Sequence, residues 1–162
     1  MARTKLNPTG NSVPAKSRGP LVDLLNQTLA DLSDLYSQAK QAHWNVRGEG
    51  FYSLHKLFDD VAASVEGHLD DLAERAVQLG GIARGTVRMA AGASQLKEWP
   101  AADLSQPGAV LVALTERFAA AATLVRDALD EADQLGDADT ADLLTAVSRD
   151  LDKSLWFLEA SR

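Results

Sequence analysis

The sequence contains no cysteine, which excludes disulfides, thiolate metal sites and cysteine nucleophiles. Histidine occurs only three times, at His43, His55 and His68, so any chemistry that needs imidazole must use these. Glycine and proline are confined mostly to a few clusters, which leaves long stretches free to be helical. No apolar run approaches the ~18 residues of a membrane span. The N-terminus lacks the apolar segment of a signal peptide. A soluble, cytoplasmic protein without a membrane partner is therefore expected.

What is present favours one helical domain. The 162 residues are 46% hydrophobic, enough for a single sizeable core and too apolar for a disordered chain. The net charge of −7 is unevenly placed: Arg3, Lys5, Lys16 and Arg18 meet no acid before Asp23. Residues 1–20 also carry Pro8, Gly10, Pro14, Gly19 and Pro20, and read as a basic, flexible arm. Residues 21–162 read as the folded domain.

Within that domain four long helices follow from apolar spacing of three and four. The first starts at Leu21, with Pro20 in its first turn, and ends before Gly48 and Gly50. The second spans about Phe51 to Leu79 and stops at Gly80-Gly81. The third begins near Ser105 and Pro107 and runs to about Leu135. The fourth is capped by Asp137 or Asp139 and continues through Leu158. The irregular stretch between helices two and three is the longest, with a short helix around Thr86–Ala93. The fold class is all-α: a four-helix bundle with one long crossover, the ferritin-like arrangement.

Helix two carries two pairs of ligand-type residues at the same spacing: His55 with Asp59, and Asp70 with Glu74. Residues four apart share a helix face. Asp59 and Asp70 nevertheless lie ~16 Å apart along the axis at ~1.5 Å per residue. One site within one chain cannot use both pairs, since metal–ligand bonds are ~2–2.6 Å long. A two-fold dimer removes the difficulty. If helix two packs antiparallel on its own copy about the Ser64–Val65 midpoint, His55 faces the second copy's Glu74 and Asp59 faces its Asp70. Both pairings follow from one axis. Ala62, Ala63, Ser64 and Gly67 near the centre are small enough for close approach. Each such site draws on His55, Asp59 and His43 of one chain with Asp70 and Glu74 of the other, a set suited to Fe(II), Mn(II) or Zn(II). The plainer alternative is solvated surface charges, with His43 a satisfied core histidine beside Trp44. The chain has no Glu-x-x-His motif, which argues against a di-iron centre within one subunit.

Taken together, several segments resemble the Dps family of mini-ferritins. They are His43-Trp44-Asn45-Val46-Arg47-Gly48, with Phe51, His55 and Asp59; His68-Leu69-Asp70; Ala73-Glu74-Arg75; and Leu96-Lys97-Glu98-Trp99-Pro100. Thr140–Leu144 and Ser148–Glu159 resemble that family's last helix. The resemblance covers about residues 21–160. It implies a dodecameric shell built from two-fold dimers. It also implies ferroxidase sites at the two-folds, with His43, His55, Asp59, Asp70 and Glu74 as ligands. Iron is then the substrate and cargo, with no organic cofactor, oxidised by hydrogen peroxide or oxygen and stored as Fe(III), which protects DNA. Trp44 is either an electron donor or packing. The acidic run Asp130–Asp139 is either the lining of an entry pore or a solvated turn with helix caps.

For the arm, Arg3, Lys5, Lys16 and Arg18 suggest non-specific phosphate contact with DNA, multiplied by the copies in a shell and sensitive to salt. Association with the nucleoid would follow. The acidic body opposes such binding, and an arm that merely aids solubility is the alternative. A shell that compacts DNA with little iron chemistry is the rival function.

Overall fold

The computed structural model describes residues 6–100 and 106–162. It contains α1 (Ala15–Asn45), α2 (Phe51–Gln78), the short α3 (Val87–Ala93), α4 (Pro107–Gln134) and α5 (Ala138–Ala160), and no strand among the described residues. The four long helices pack as a bundle, α1 chiefly on α2 and α4 on α5, with α1 also meeting α4 and α2 meeting α5. Their apolar stripes form one core in which Leu25, Leu32, Phe58, Leu72, Phe118, Leu144 and Leu158 are wholly buried.

The first helix starts earlier than its pattern suggested. Pro14 precedes it, and the Pro14 carbonyl accepts hydrogen bonds from the amides of Ser17 (2.8 Å) and Arg18 (3.2 Å). Pro20 therefore sits inside α1 rather than in its first turn. A proline there removes the amide that would bond to the Lys16 carbonyl, and Lys16 is exposed, so water can serve that oxygen. Burial of Ser17, Leu21 and Val22 holds the extra turn in place.

Preceding α1, the chain is also tied down. The Asn7 amide bonds to the Gly80 carbonyl at 2.7 Å, and Val13 packs against the core. Gly80 has φ +89°, and a Cβ at this position would lie 2.6 Å from the Asn7 oxygen, so the tether requires glycine. The flexible arm expected over residues 1–20 is thus fixed from Asn7 onward, and Lys16 and Arg18 are helical. Arg3, Lys5 and the expected cap Ser105 lie outside the described residues.

Other ends follow the sequence closely. Thr86 caps α3, its hydroxyl accepting from the Met89 amide at 3.4 Å. After α3, the Gln95 amide bonds to Asp31 (2.6 Å) and the Ser94 hydroxyl to Asp34 (2.7 Å), which pins the crossover to α1. Burial pushes the Asp31 carboxyl above its ordinary value despite the hydrogen bonds it receives from Gln95 and Gln27. Helix α4 is long and apolar enough to cross a membrane by length and composition, contrary to the reading of its sequence. It buries Val110, Leu114, Phe118, Ala121, Val125 and Ala132 in the bundle, and a core helix of a soluble protein meets the same test.

Candidate metal centre

Two glycines shape the corner that builds the site. Gly48 (φ +99°) and Gly50 (φ +72°) turn the chain between α1 and α2 in a conformation other residues resist. The last turn of α1 is thereby laid against the first turns of α2, and His43 meets His55. The two are locked reciprocally: His43 Nδ1 lies 2.7 Å from the His55 carbonyl, and His55 Nδ1 lies 2.8 Å from the His43 carbonyl. A carbonyl oxygen only accepts, so each Nδ1 carries a hydrogen. In the neutral ring each Nε2 is then left with a free lone pair, the form that ligates a metal.

The rings stack with centroids 3.8 Å apart and planes 21° from parallel. A metal–imidazole bond lies near the ring plane at ~2.0–2.1 Å. Two nearly parallel planes that far apart do not meet within such a distance. The two histidines, if both ligate, serve different ions.

Asp59 completes the cluster one helical turn after His55. Its Oδ1 lies 3.9 Å from His43 Nδ1 and 2.6 Å from Lys40 Nζ. The Lys40 hydrogen bond holds the Asp59 carboxyl below its ordinary range, and Asp59 in turn raises the Lys40 ammonium. Lys40 was not anticipated from sequence. The available signal was its position three residues before His43, on the same face of α1.

Asp70 and Glu74 are exposed further along α2 and do not join this cluster. Among the described residues, no subunit by itself gathers three His, Asp or Glu side chains able to hold a metal. His68 also stays apart, its Nε2 bonding to Asp150 of α5 at 2.9 Å. Ala62 is fully buried in its own subunit, so it cannot lie on a packing face; Ala63, Ser64 and Gly67 can. Trp44 is 66% exposed and so does not pack into its own core.

The acidic run resolves into different roles. Asp137 is buried beneath the guanidinium of Arg75, which donates to both its oxygens at 2.8 Å. Thr140 donates to Asp137 at 2.5 Å and accepts from Arg75 Nε at 3.0 Å. Asp137 occupies the N-cap position of α5, its carboxylate held by Arg75 and Thr140, and is not available to line a pore. Asp127, Asp130 and Glu131 border an open depression with Gln134 and Leu135, and Asp139 is exposed. The Arg75 network was also missed from sequence, because its partners are more than sixty residues away.

The Ferritin-like domain family matches residues 22–161. A "DNA protection during starvation protein" of Agrobacterium fabrum is 43% identical over 156 residues, covering 96% of each chain. Among solved structures, DpsC from Streptomyces coelicolor superposes with a TM-score of 0.91 at 29% identity, covering 99% of this chain and 94% of that one. A Dps protein from Vibrio cholerae O1, described as a member of a broad superfamily of ferritin-like diiron-carboxylate proteins, superposes with a TM-score of 0.85 at 25% identity, covering 96% of this chain and 98% of that one.

Proposed function

Because the chain belongs to the Dps family of ferritin-like proteins, we propose that it oxidises Fe(II) at sites shared between two subunits and stores the Fe(III) in a dodecameric shell. The observation that carries this reading is the reciprocal His43–His55 lock, which turns both Nδ1 atoms to backbone carbonyls and leaves both Nε2 lone pairs free, with Asp59 3.9 Å from His43 Nδ1. The exposed acids Asp70 and Glu74 are supplied by a second copy in the two-fold register. Two surface residues favour the same register: Tyr52, 73% exposed, and Val77, 55% exposed, face one another across that axis. Large exposed apolar side chains on one helix face are what an isologous interface covers.

Histidines that serve different ions make a two-metal site. Hydrogen peroxide accepts two electrons when its O–O bond breaks, and two Fe(II) supply one each. With two protons taken up, the products are two Fe(III) and two water molecules. Simultaneous delivery leaves no hydroxyl radical, which is how iron oxidation would protect DNA. The three carboxylates favour the product because they stabilise the higher charge.

Direct DNA contact is a narrower matter. Lys16 and Arg18 are helical in α1, behind the tether at Asn7, so the proposed contact draws chiefly on Arg3 and Lys5, which lie outside the described residues. Such binding would be non-specific and weakened by salt. It would place the shell on DNA in the cytoplasm.

The test is anaerobic loading of the purified apo-protein with excess Fe(II), then hydrogen peroxide, then gel filtration. The expected result is many ferric ions per subunit in a soluble, shell-sized peak. In the His55→Ala, Asp59→Ala double variant the shell should persist and oxidation should slow. A ferric precipitate beside an iron-free protein peak would overturn the reading.

A further inference from the structure

Asp31 is 2% exposed, yet among the described residues no cation is bonded to it. Neutral donors hold it instead. The Gln95 amide bonds to Oδ1 at 2.6 Å and Gln95 Nε2 to Oδ2 at 3.3 Å, while Gln27 Nε2 lies 3.3 and 3.2 Å from the two oxygens. The same Gln27 nitrogen reaches the Ala93 carbonyl at 2.9 Å. Further along α1, Asp34 accepts from the Ser94 hydroxyl and from Gln38, whose Nε2 also bonds to the Lys97 carbonyl at 3.2 Å. Gln27, Asp31, Asp34 and Gln38 share one face of α1, and together they clamp residues 93–97. The short α3 leads directly into that segment and packs chiefly on α1. The clamp therefore decides how firmly α3 closes a cavity of about 310 Å³ lined by Tyr36, Trp44, Leu69, Val87 and Ala90.

We propose that Asp31 makes this clamp proton-operated, so that the crossover locks onto α1 in mild acid and loosens at neutral pH. The one charged group acting on Asp31 is Asp34, on its own helix, and it repels. In α3 and the crossover, Arg88 and Lys97 are exposed and bond to neither carboxylate. From α4, Arg117 is committed to the Ala113 and Glu98 carbonyls and to Glu116. An ionised carboxylate buried without a counter-charge is costly, and here that cost outweighs the donated hydrogen bonds, so burial holds the Asp31 carboxyl above 3.8. Once the clamp opens, water reaches the group and its ordinary value returns. The closed clamp thus binds the proton more tightly than the open one, and by linkage acid favours closure. A protonated carboxyl keeps its carbonyl oxygen as an acceptor for the Gln95 amide, so locking does not sacrifice the shortest bond of the clamp.

Hydrogen exchange of the assembled full-length protein tests this, followed by mass spectrometry from about pH 7.5 to about pH 4 and corrected for the intrinsic exchange rate. Protection of residues 87–97 should rise as pH falls, with a slope of up to about tenfold per pH unit, the limit for one proton. In Asp31→Asn, which has no proton to gain, protection of the same residues should not vary with pH. Gln27→Leu removes a donor to the carboxylate, so the proton is taken up earlier and the rise should begin at higher pH. Residues around Asp137, whose carboxyl stays ionised over this range, should keep level protection, which marks the change as local. Protection of 87–97 in the parent that stays flat or falls with acid would overturn the clamp. So would a rise in Asp31→Asn as steep as the parent's, or a Gln27→Leu profile displaced to lower pH.

Discussion

Replacing Arg75 by methionine probes a buried ion pair in the bundle. Methionine keeps an unbranched apolar stem of similar reach and removes only the guanidinium. Asp137, 3% exposed, would then lose both hydrogen bonds from Arg75 and be left ionised without its counter-charge. Removing one partner of a buried ion pair typically costs ~3–5 kcal/mol. Thr140 still donates to Asp137, at 2.5 Å, which places the cost at the lower end. For a chain of this size ~1 kcal/mol shifts Tm by ~2–4 °C, so a fall of ~6–12 °C is expected. Calorimetry on parent and variant at matched protein concentration reads this directly, since assembly itself contributes to Tm. Adding Asp137→Asn to the variant removes the orphaned charge and leaves at most the ~1–3 kcal/mol penalty of an unsatisfied neutral polar group, so the double variant should melt higher than the single. If Arg75→Met melts within about 2 °C of the parent, or the double variant melts no higher than the single, the buried pair does not carry the load assigned to it.

Two further outcomes follow from the same turn and from the end of α2. Burial raises the Asp137 carboxyl, but hydrogen bonds from Thr140 and Arg75 and the charge of Arg75 outweigh it, so its folded value lies below the ordinary 3.8. The ionised form then stabilises the fold above 3.8 and the contribution is lost as pH falls through the lower folded value; the difference in urea midpoint between the parent and Asp137→Asn should shrink steadily in that acid range, and a constant difference would contradict the assignment. Gly81→Ala would place a Cβ against Val22 Cγ1 and within 2.8 Å of the Ala76 carbonyl oxygen, so denaturant unfolding should show a loss of ~1–3 kcal/mol, partly relieved by Val22→Ala.

The helices were legible wherever their ends carry local chemistry. Gly48 and Gly50, Gly80-Gly81, Thr86, Pro107 and Asp137 mark boundaries that the structure places at or next to the expected residues. The start of α1 was not legible, because Pro20 is a stronger local signal than the tertiary contacts that override it. Nothing in residues 6–14 announces the hydrogen bond from Asn7 to Gly80, since its acceptor is supplied by a distant part of the fold. The same holds for Arg75, whose charge looks like one more surface cation until the α4–α5 turn is brought over it.

The candidate site was legible in a different way, through symmetry rather than through neighbours. His55/Asp59 and Asp70/Glu74 repeat one spacing on one helix, and a single two-fold axis pairs both ends at once, whatever the details of side-chain contact. That is why sequence alone could nominate five residues while one subunit brings only His43, His55 and Asp59 near one another, short of a metal-holding group by itself. What spacing could not give is the state of those side chains. The hydrogen on each Nδ1 is set by a carbonyl in the opposite helix, and the cation on Asp59 is set by the rotation of α1. Both depend on how α1 and α2 meet at the Gly48–Gly50 corner. How these side chains are presented is thus a property of that corner rather than of the residue list alone.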